Sequence, residues 1–110
     1  MTSCAKYLGG GEPEKDFGSG LALVKFTASW CGPCRAVQPA YVQLAQSCPV
    51  PCWEVNADGD EGGAHCAALR VTSLPTFLLL QDGREVPGGR VVGAKIGEVQ
   101  RMVDELLELE

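Results

Sequence analysis

Cys31 and Cys34 stand two residues apart in the run Trp30-Cys31-Gly32-Pro33-Cys34. At that spacing both sulfurs lie on one helical turn and can close into a small disulfide ring. The run falls where an apolar strand ends and an amphipathic helical pattern begins. A helix start leaves backbone N–H groups unsatisfied and carries positive potential, which favours the thiolate of Cys31. Only the thiolate attacks a disulfide, so Cys31 is expected to attack and Cys34, expected deeper, to resolve. Pro33, early in the helix where a missing N–H is tolerated, stiffens the turn between two redox states.

Six cysteines in 110 residues leave a disulfide framework, a metal site or redox chemistry open. Framework cysteines compensate for cores too small to stand alone, and this chain has apolar segments for a full sheet and several helices. The spacing Cys31-x2-Cys34-x13-Cys48-x3-Cys52 loosely mimics a zinc ribbon. A helical pattern fills the long gap, and at 1.5 Å per residue it would hold the two pairs on the order of 20 Å apart. Tetrahedral zinc needs all four sulfurs at about 2.3 Å, so no metal is expected. Cys4, Cys48, Cys52 and Cys66 read as thiols without function and dispensable for turnover. Oxidation of Cys48 with Cys52 is the sharper alternative, and His65 reads as an idle histidine on a polar helix.

The elements that position the pair follow from periodicity. Leu21–Phe26 is apolar on both faces apart from Lys25, the pattern of an interior strand of a parallel sheet. Val37, Ala40, Tyr41, Leu44 and Ala45 form one stripe of a helix from Gly32 to about Ser47, with a kink expected at Pro39. Cys52–Ala57 reads as a second strand. Asp58-Gly59-Asp60 supplies a turn and an N-cap for a short helix to Leu69. Asp82-Gly83 joins Thr76–Leu80 to Arg84–Val92 as an antiparallel hairpin, the second strand broken by Pro87-Gly88-Gly89 and confined to an edge. Ile96 to Leu107 carries a last amphipathic helix. A short strand near Ala5–Leu8 and a poor helix near Glu14–Gly18 are expected in the least legible stretch. Alternating strands and helices in a chain of one domain's length indicate a βαβ unit with parallel strands and a right-handed crossover, to which the antiparallel hairpin is added.

Composition excludes other classes. The net charge is −5, and the nine basic residues form no cluster, so nucleic acid is not an expected partner. The longest apolar runs, such as Phe77–Leu80, fall far short of the roughly 18 residues of a membrane span. The first eleven residues hold no apolar core of a secretory signal, so a reducing cytoplasmic setting is the expectation.

The match beyond the cysteine pair is longer. Phe26-Thr27-Ala28-Ser29-Trp30, the helix-interior Pro39, Val55-Asn56-Ala57-Asp58, Leu74-Pro75-Thr76, Asp82-Gly83 and Gly93-Ala94 together resemble the thioredoxin family over residues from about 21 to 110. The resemblance implies a thioredoxin fold, an α/β domain with a mixed central sheet flanked by helices on both faces, and a dithiol–disulfide oxidoreductase that reduces protein disulfides. It also implies a monomer that binds no cofactor and is re-reduced by a flavin-dependent thioredoxin reductase drawing on NADPH. A disulfide isomerase or oxidase is the alternative within redox chemistry, distinguished by the reduction potential. A module that traps partners without turnover is disfavoured by the intact resolving Cys34. By the resemblance Pro75 is cis and lies against the cysteines, baring the backbone of Leu74 to an extended substrate. Trp30, Gly93 and Ala94 map onto an apolar rim around the nucleophile. The sequence departs from the family six residues before Cys31, where a buried aspartate that relays a proton is replaced by Lys25. Glu54, on the strand expected beside it, is the candidate partner. The pair would sit beneath Cys34 and take up its proton, unless Lys25 reaches solvent and Glu54 faces outward.

Overall fold

The computed structural model describes Phe17 and residues 20–108. In chain order the elements are β1 (Leu21–Thr27), α1 (Gly32–Ser47), β2 (Cys52–Asn56), α2 (Asp60–Leu69), β3 (Thr76–Gln81), β4 (Arg84–Val92) and α3 (Ile96–Glu108). The strands form one sheet in the order β2-β1-β3-β4. β1 runs parallel to β2 and antiparallel to β3, and β3 and β4 make the hairpin. β1 is central in the sheet and packed over on both faces, so it needs apolar residues on both, as its sequence supplies. The expected N-terminal strand and helix lie outside the described residues, Phe17 apart.

Alternation along β1 splits the core in two. Leu23 faces Val37, Tyr41 and Leu44 of α1 and Val99, Met102 and Val103 of α3. Ala22, Val24 and Phe26 face the opposite side, with Val55, Val71 and Leu78, where Cys66 and Leu69 of α2 pack. Helices therefore cover both faces. Lys25 belongs by parity to the α1 side, and it is buried.

Two local expectations are corrected, for β4 and for His65, while the expected turn does supply the N-cap of α2, though without a side-chain bond. Pro87-Gly88-Gly89 does not break β4: the strand is continuous, and the ladder absorbs the irregularity as a register shift between Leu78 and Leu80. The N-cap of α2 is Gly59, with no side-chain cap bond. The Asp58 carboxylate accepts the Trp30 indole N–H instead, and its backbone N–H donates to Asn56 Oδ1. His65 is fully buried, its ring centroid 5.0 Å from that of Phe17, so it is not on a polar surface. The small residues of α2 hide which face is inward. Its C-terminus is closed by Arg90 of β4, which donates to the carbonyls of Leu69 and Arg70 at 2.7 and 3.1 Å and pairs with Glu85.

α2 approaches β2 through Gly62, where an added Cβ would stand 1.8 Å from the Asn56 carbonyl oxygen. Gly62→Ala must push the helix away, and a loss of about 2–3 kcal/mol is expected, read as a lower denaturation midpoint at unchanged slope.

Candidate functional site

β1 ends at Thr27, a short turn follows, and Cys31 becomes the N-cap of α1 in an extended conformation. Its carbonyl accepts the Arg35 N–H at 3.2 Å, and its sulfur accepts the Cys34 N–H at 3.2 Å. A sulfur there takes the place of the oxygen of a capping serine or aspartate. Negative charge on it is met by the otherwise unsatisfied N–H groups of the first turn, and no acidic residue occupies that turn to oppose it. Cys31 and Cys34 are joined by a disulfide, with Cα atoms 5.3 Å apart. Cys34 is wholly buried, whereas 5% of Cys31 remains accessible. Gly32 and Pro33, between them, are exposed.

The surroundings come from three separate loops. Leu74 packs with Ala28 against both cysteines. The Leu74–Pro75 bond is cis, and the Pro75 carbonyl accepts the Gly93 N–H at 2.8 Å. Gly93 itself has φ +102°, a conformation that side chains other than glycine's rarely adopt, and Ala94 is exposed beside it. Trp30 is 68% exposed, so it is no core aromatic, and its indole N–H donates to Asp58 Oδ1 at 2.8 Å. That bond fixes a large apolar face next to the disulfide.

Beneath the pair lies a polar network in otherwise apolar surroundings. Lys25 stands opposite Glu54 in the β1–β2 register, with Nζ 3.3 Å from Glu54 Oε2. Nζ also donates to the Cys34 carbonyl at 3.1 Å and to Gln38 Oε1. Gln38 in turn donates to Glu54 Oε1 at 3.2 Å. Lys25 is 1% exposed and does not reach solvent, while Glu54 is 27% exposed. Burial draws the Lys25 ammonium below its ordinary pKa, against the opposing pull of the Glu54 carboxylate. A cleft of about 750 Å³, lined by Lys25, Ala28, Cys34, Gln38, Glu54 and Asn56 among others, opens beside the network. Gln38 is the member that sequence reading missed. A polar residue four positions after Cys34 was the available signal, since it repeats the same helix face.

α1 separates Cys34 from Cys48 along its whole length, so the four cysteines of the zinc-like spacing do not converge. Among the described residues, no helix is long and apolar enough to cross a membrane.

A four-stranded mixed sheet carrying a disulfide between two cysteines at the head of a helix, with a cis-proline loop against it, defines the thioredoxin fold. The thioredoxin family model matches residues 15–105, and the chain belongs to that family. It is 42% identical over 83 residues to thioredoxin H-type 1 of Nicotiana tabacum, covering 76% of this chain and 64% of that one. To the chloroplastic thioredoxin X of Arabidopsis thaliana it is 40% identical over 86 residues, covering 77% and 47%. The chain thus spans just under two thirds of the first relative and about half of the second. Among solved structures, Fasciola hepatica thioredoxin superposes with a TM-score of 0.70 at 34% identity, covering 79% of this chain and 81% of the other.

Proposed function

We propose that this chain is a dithiol electron carrier that reduces protein disulfides in the cytoplasm as a monomer and is returned to the dithiol by an NADPH-dependent, flavin-containing thioredoxin reductase. The observation that carries the reading is a disulfide whose outer cysteine, 5% accessible, caps a helix and whose inner cysteine is wholly buried beneath it. In the reduced protein the Cys31 thiolate attacks one sulfur of a partner disulfide, forming a mixed disulfide and expelling one partner thiolate. Cys34 then gives up its proton and attacks the Cys31 sulfur, expelling the second thiolate and restoring the ring. Leu74 offers its backbone to the partner as an added strand, and Trp30, Gly93 and Ala94 form the rim on which the partner rests. Glu54 accepts the Cys34 proton, and Lys25 and Gln38 hold its carboxylate in place.

The test is reduction of insulin disulfides by the whole chain with NADPH and a thioredoxin reductase. Turnover that requires all three components supports the reading. A chain that is oxidised by its partner but never turns over overturns it. Asp58→Ala should release the Trp30 ring and lower kcat/KM for insulin by about 3–10-fold. Stability should stay within about 0.5 kcal/mol, and reduction of a small aromatic disulfide should hardly change.

A further inference from the structure

The other end of α1 carries a second pair of sulfurs. Cys48 is the C-cap of the helix, with its N–H on the Ala45 carbonyl, and Cys52 is the first residue of β2. Pro49 and Pro51 fix two of the three intervening φ angles. The Pro51 carbonyl accepts the Leu23 N–H at 2.9 Å, which anchors the far end of the turn to β1. The chain thereby folds back so that Cys48 packs against the core cluster that contains Cys52, whose thiol donates to the Val50 carbonyl at 3.5 Å. Cys52 is buried in the core with Leu23, Tyr41 and Phe77, while Cys48 is half-buried at its margin.

We propose that Cys48 and Cys52 form a second thiol–disulfide couple, in which Cys48 attacks a low-molecular-weight disulfide and Cys52 resolves the adduct. The Cys48 thiolate attacks one sulfur of the small disulfide. A bond forms between them, the original S–S bond breaks, and one small thiolate leaves with the electron pair and takes a proton from water. Cys52 loses its proton to water, attacks the Cys48 sulfur and expels the second small thiolate. Two protein thiols are oxidised by two electrons, and one disulfide becomes two thiols. Cys48 is partly covered and stands beside a turn held by two prolines and by the Leu23 N–H on the Pro51 carbonyl, a setting that favours a small disulfide over a folded partner.

Electrostatics assign the two roles the same way. The hydrogen bond from Cys52, helped by the Val50 backbone, brings Cys48 down to about 7, although its partial burial and the Asp104 carboxylate of α3 oppose this. Cys52 is pushed up by the same shared proton and by burial. Tyr41 of α1 also faces the pair, and its phenol, on the Trp53 carbonyl, is raised by burial and stays neutral. An attacking thiol is fastest when its pKa lies near ambient pH. The 14 helical steps from Cys34 to Cys48 place the two couples about 21 Å apart, so they do not exchange electrons directly within one molecule.

The test uses the whole chain, reduced, freed of reductant and exposed to oxidised glutathione, then denatured, alkylated and cut with trypsin. Cys31 and Cys34 fall in the fragment 26–35, and Cys48, Cys52 and Cys66 in the fragment 36–70. The expected 36–70 fragment carries one alkyl group, on Cys66, and a Cys48–Cys52 bridge. Three alkyl groups while fragment 26–35 is fully oxidised overturn the proposal, as does a bridge to Cys66 or glutathione left standing on Cys48. With Cys52→Ala, the glutathione adduct on Cys48 should persist at least about tenfold longer. With Cys48→Ser, Cys52 should stay unmodified, and glutathione on Cys52 at the wild-type rate would reverse the roles. In the reduced unmutated chain, alkylation of Cys48 should rise through a midpoint near pH 7. A midpoint at the ordinary ~8.5 of a free thiol removes Cys48 as the attacker.

Discussion

Cys31→Ser is expected to lower insulin reduction by at least about a thousandfold, because no other described thiol caps a helix beside the Leu74–Pro75 loop. Cys34→Ser should behave differently. Its Cys31 still has the first-turn N–H groups around it and still attacks, but nothing behind it completes the exchange. The variant should accumulate as a covalent adduct with its substrate, visible on a non-reducing gel and released by a small thiol. Adducts formed by Cys31→Ser and absent with Cys34→Ser would reverse the assignment. Neither change should unfold the protein, since serine can still cap α1 at position 31 and is nearly the size of cysteine at position 34.

Glu54→Leu is expected to cost about 3–5 kcal/mol, more than Lys25→Met, because it strands the more deeply buried charge. Lys25→Met leaves a carboxylate that can still turn toward the cleft and water, so its cost should be about 1–3 kcal/mol. The double variant should recover most of the larger loss, and a coupling below about 0.5 kcal/mol in the cycle would show that the pair does not act as a unit. pH supplies a second signature. Burial already depresses the Lys25 pKa in the folded state below its unfolded value of 10.5, and losing Glu54 depresses it further. Between those two values the unfolded chain binds more protons than the folded one, so stability rises with pH. The Glu54→Leu deficit should therefore shrink as pH climbs toward 10.5 and be greatest near neutrality. Release of the mixed disulfide should be slow in both variants that lack Glu54, and an unchanged release rate would remove the carboxylate from the proton step.

How much of this could be read from residues alone depended on range. The two-sided apolar run of β1, the stripe of α1 and the Asp82-Gly83 turn, with φ of 55° and 82°, are local patterns that local rules decode. The pairing of Lys25 with Glu54 was accessible because a parallel neighbour in a βαβ unit fixes the register within a residue or two. Gln38 carried only the weaker signal of sharing a helix face with Cys34, because whether that face meets Lys25 depends on how α1 is rotated over β1, which is not a local pattern. His65 was misplaced because α2, rich in glycine and alanine, has too weak an apolar stripe to reveal its inner face. The proximity of Cys48 and Cys52 depended on a proline turn whose direction their spacing does not specify.

The uneven rim of the sheet has a colloidal consequence. A regular outer strand offers a row of free N–H and C=O groups on which a foreign sheet can grow, the first step toward fibres. β4 is the outer strand on its side of the described sheet, and it carries a proline without an N–H, Gly88 at φ +77° and a slipped register. At Gly89 the chain comes so close to its inner neighbour that a Cβ would stand 2.9 Å from the Leu79 carbonyl oxygen. An incoming strand cannot match that spacing over more than a few residues. The irregularity that costs this ladder some hydrogen bonds therefore guards the molecule against stacking edge to edge with its own copies.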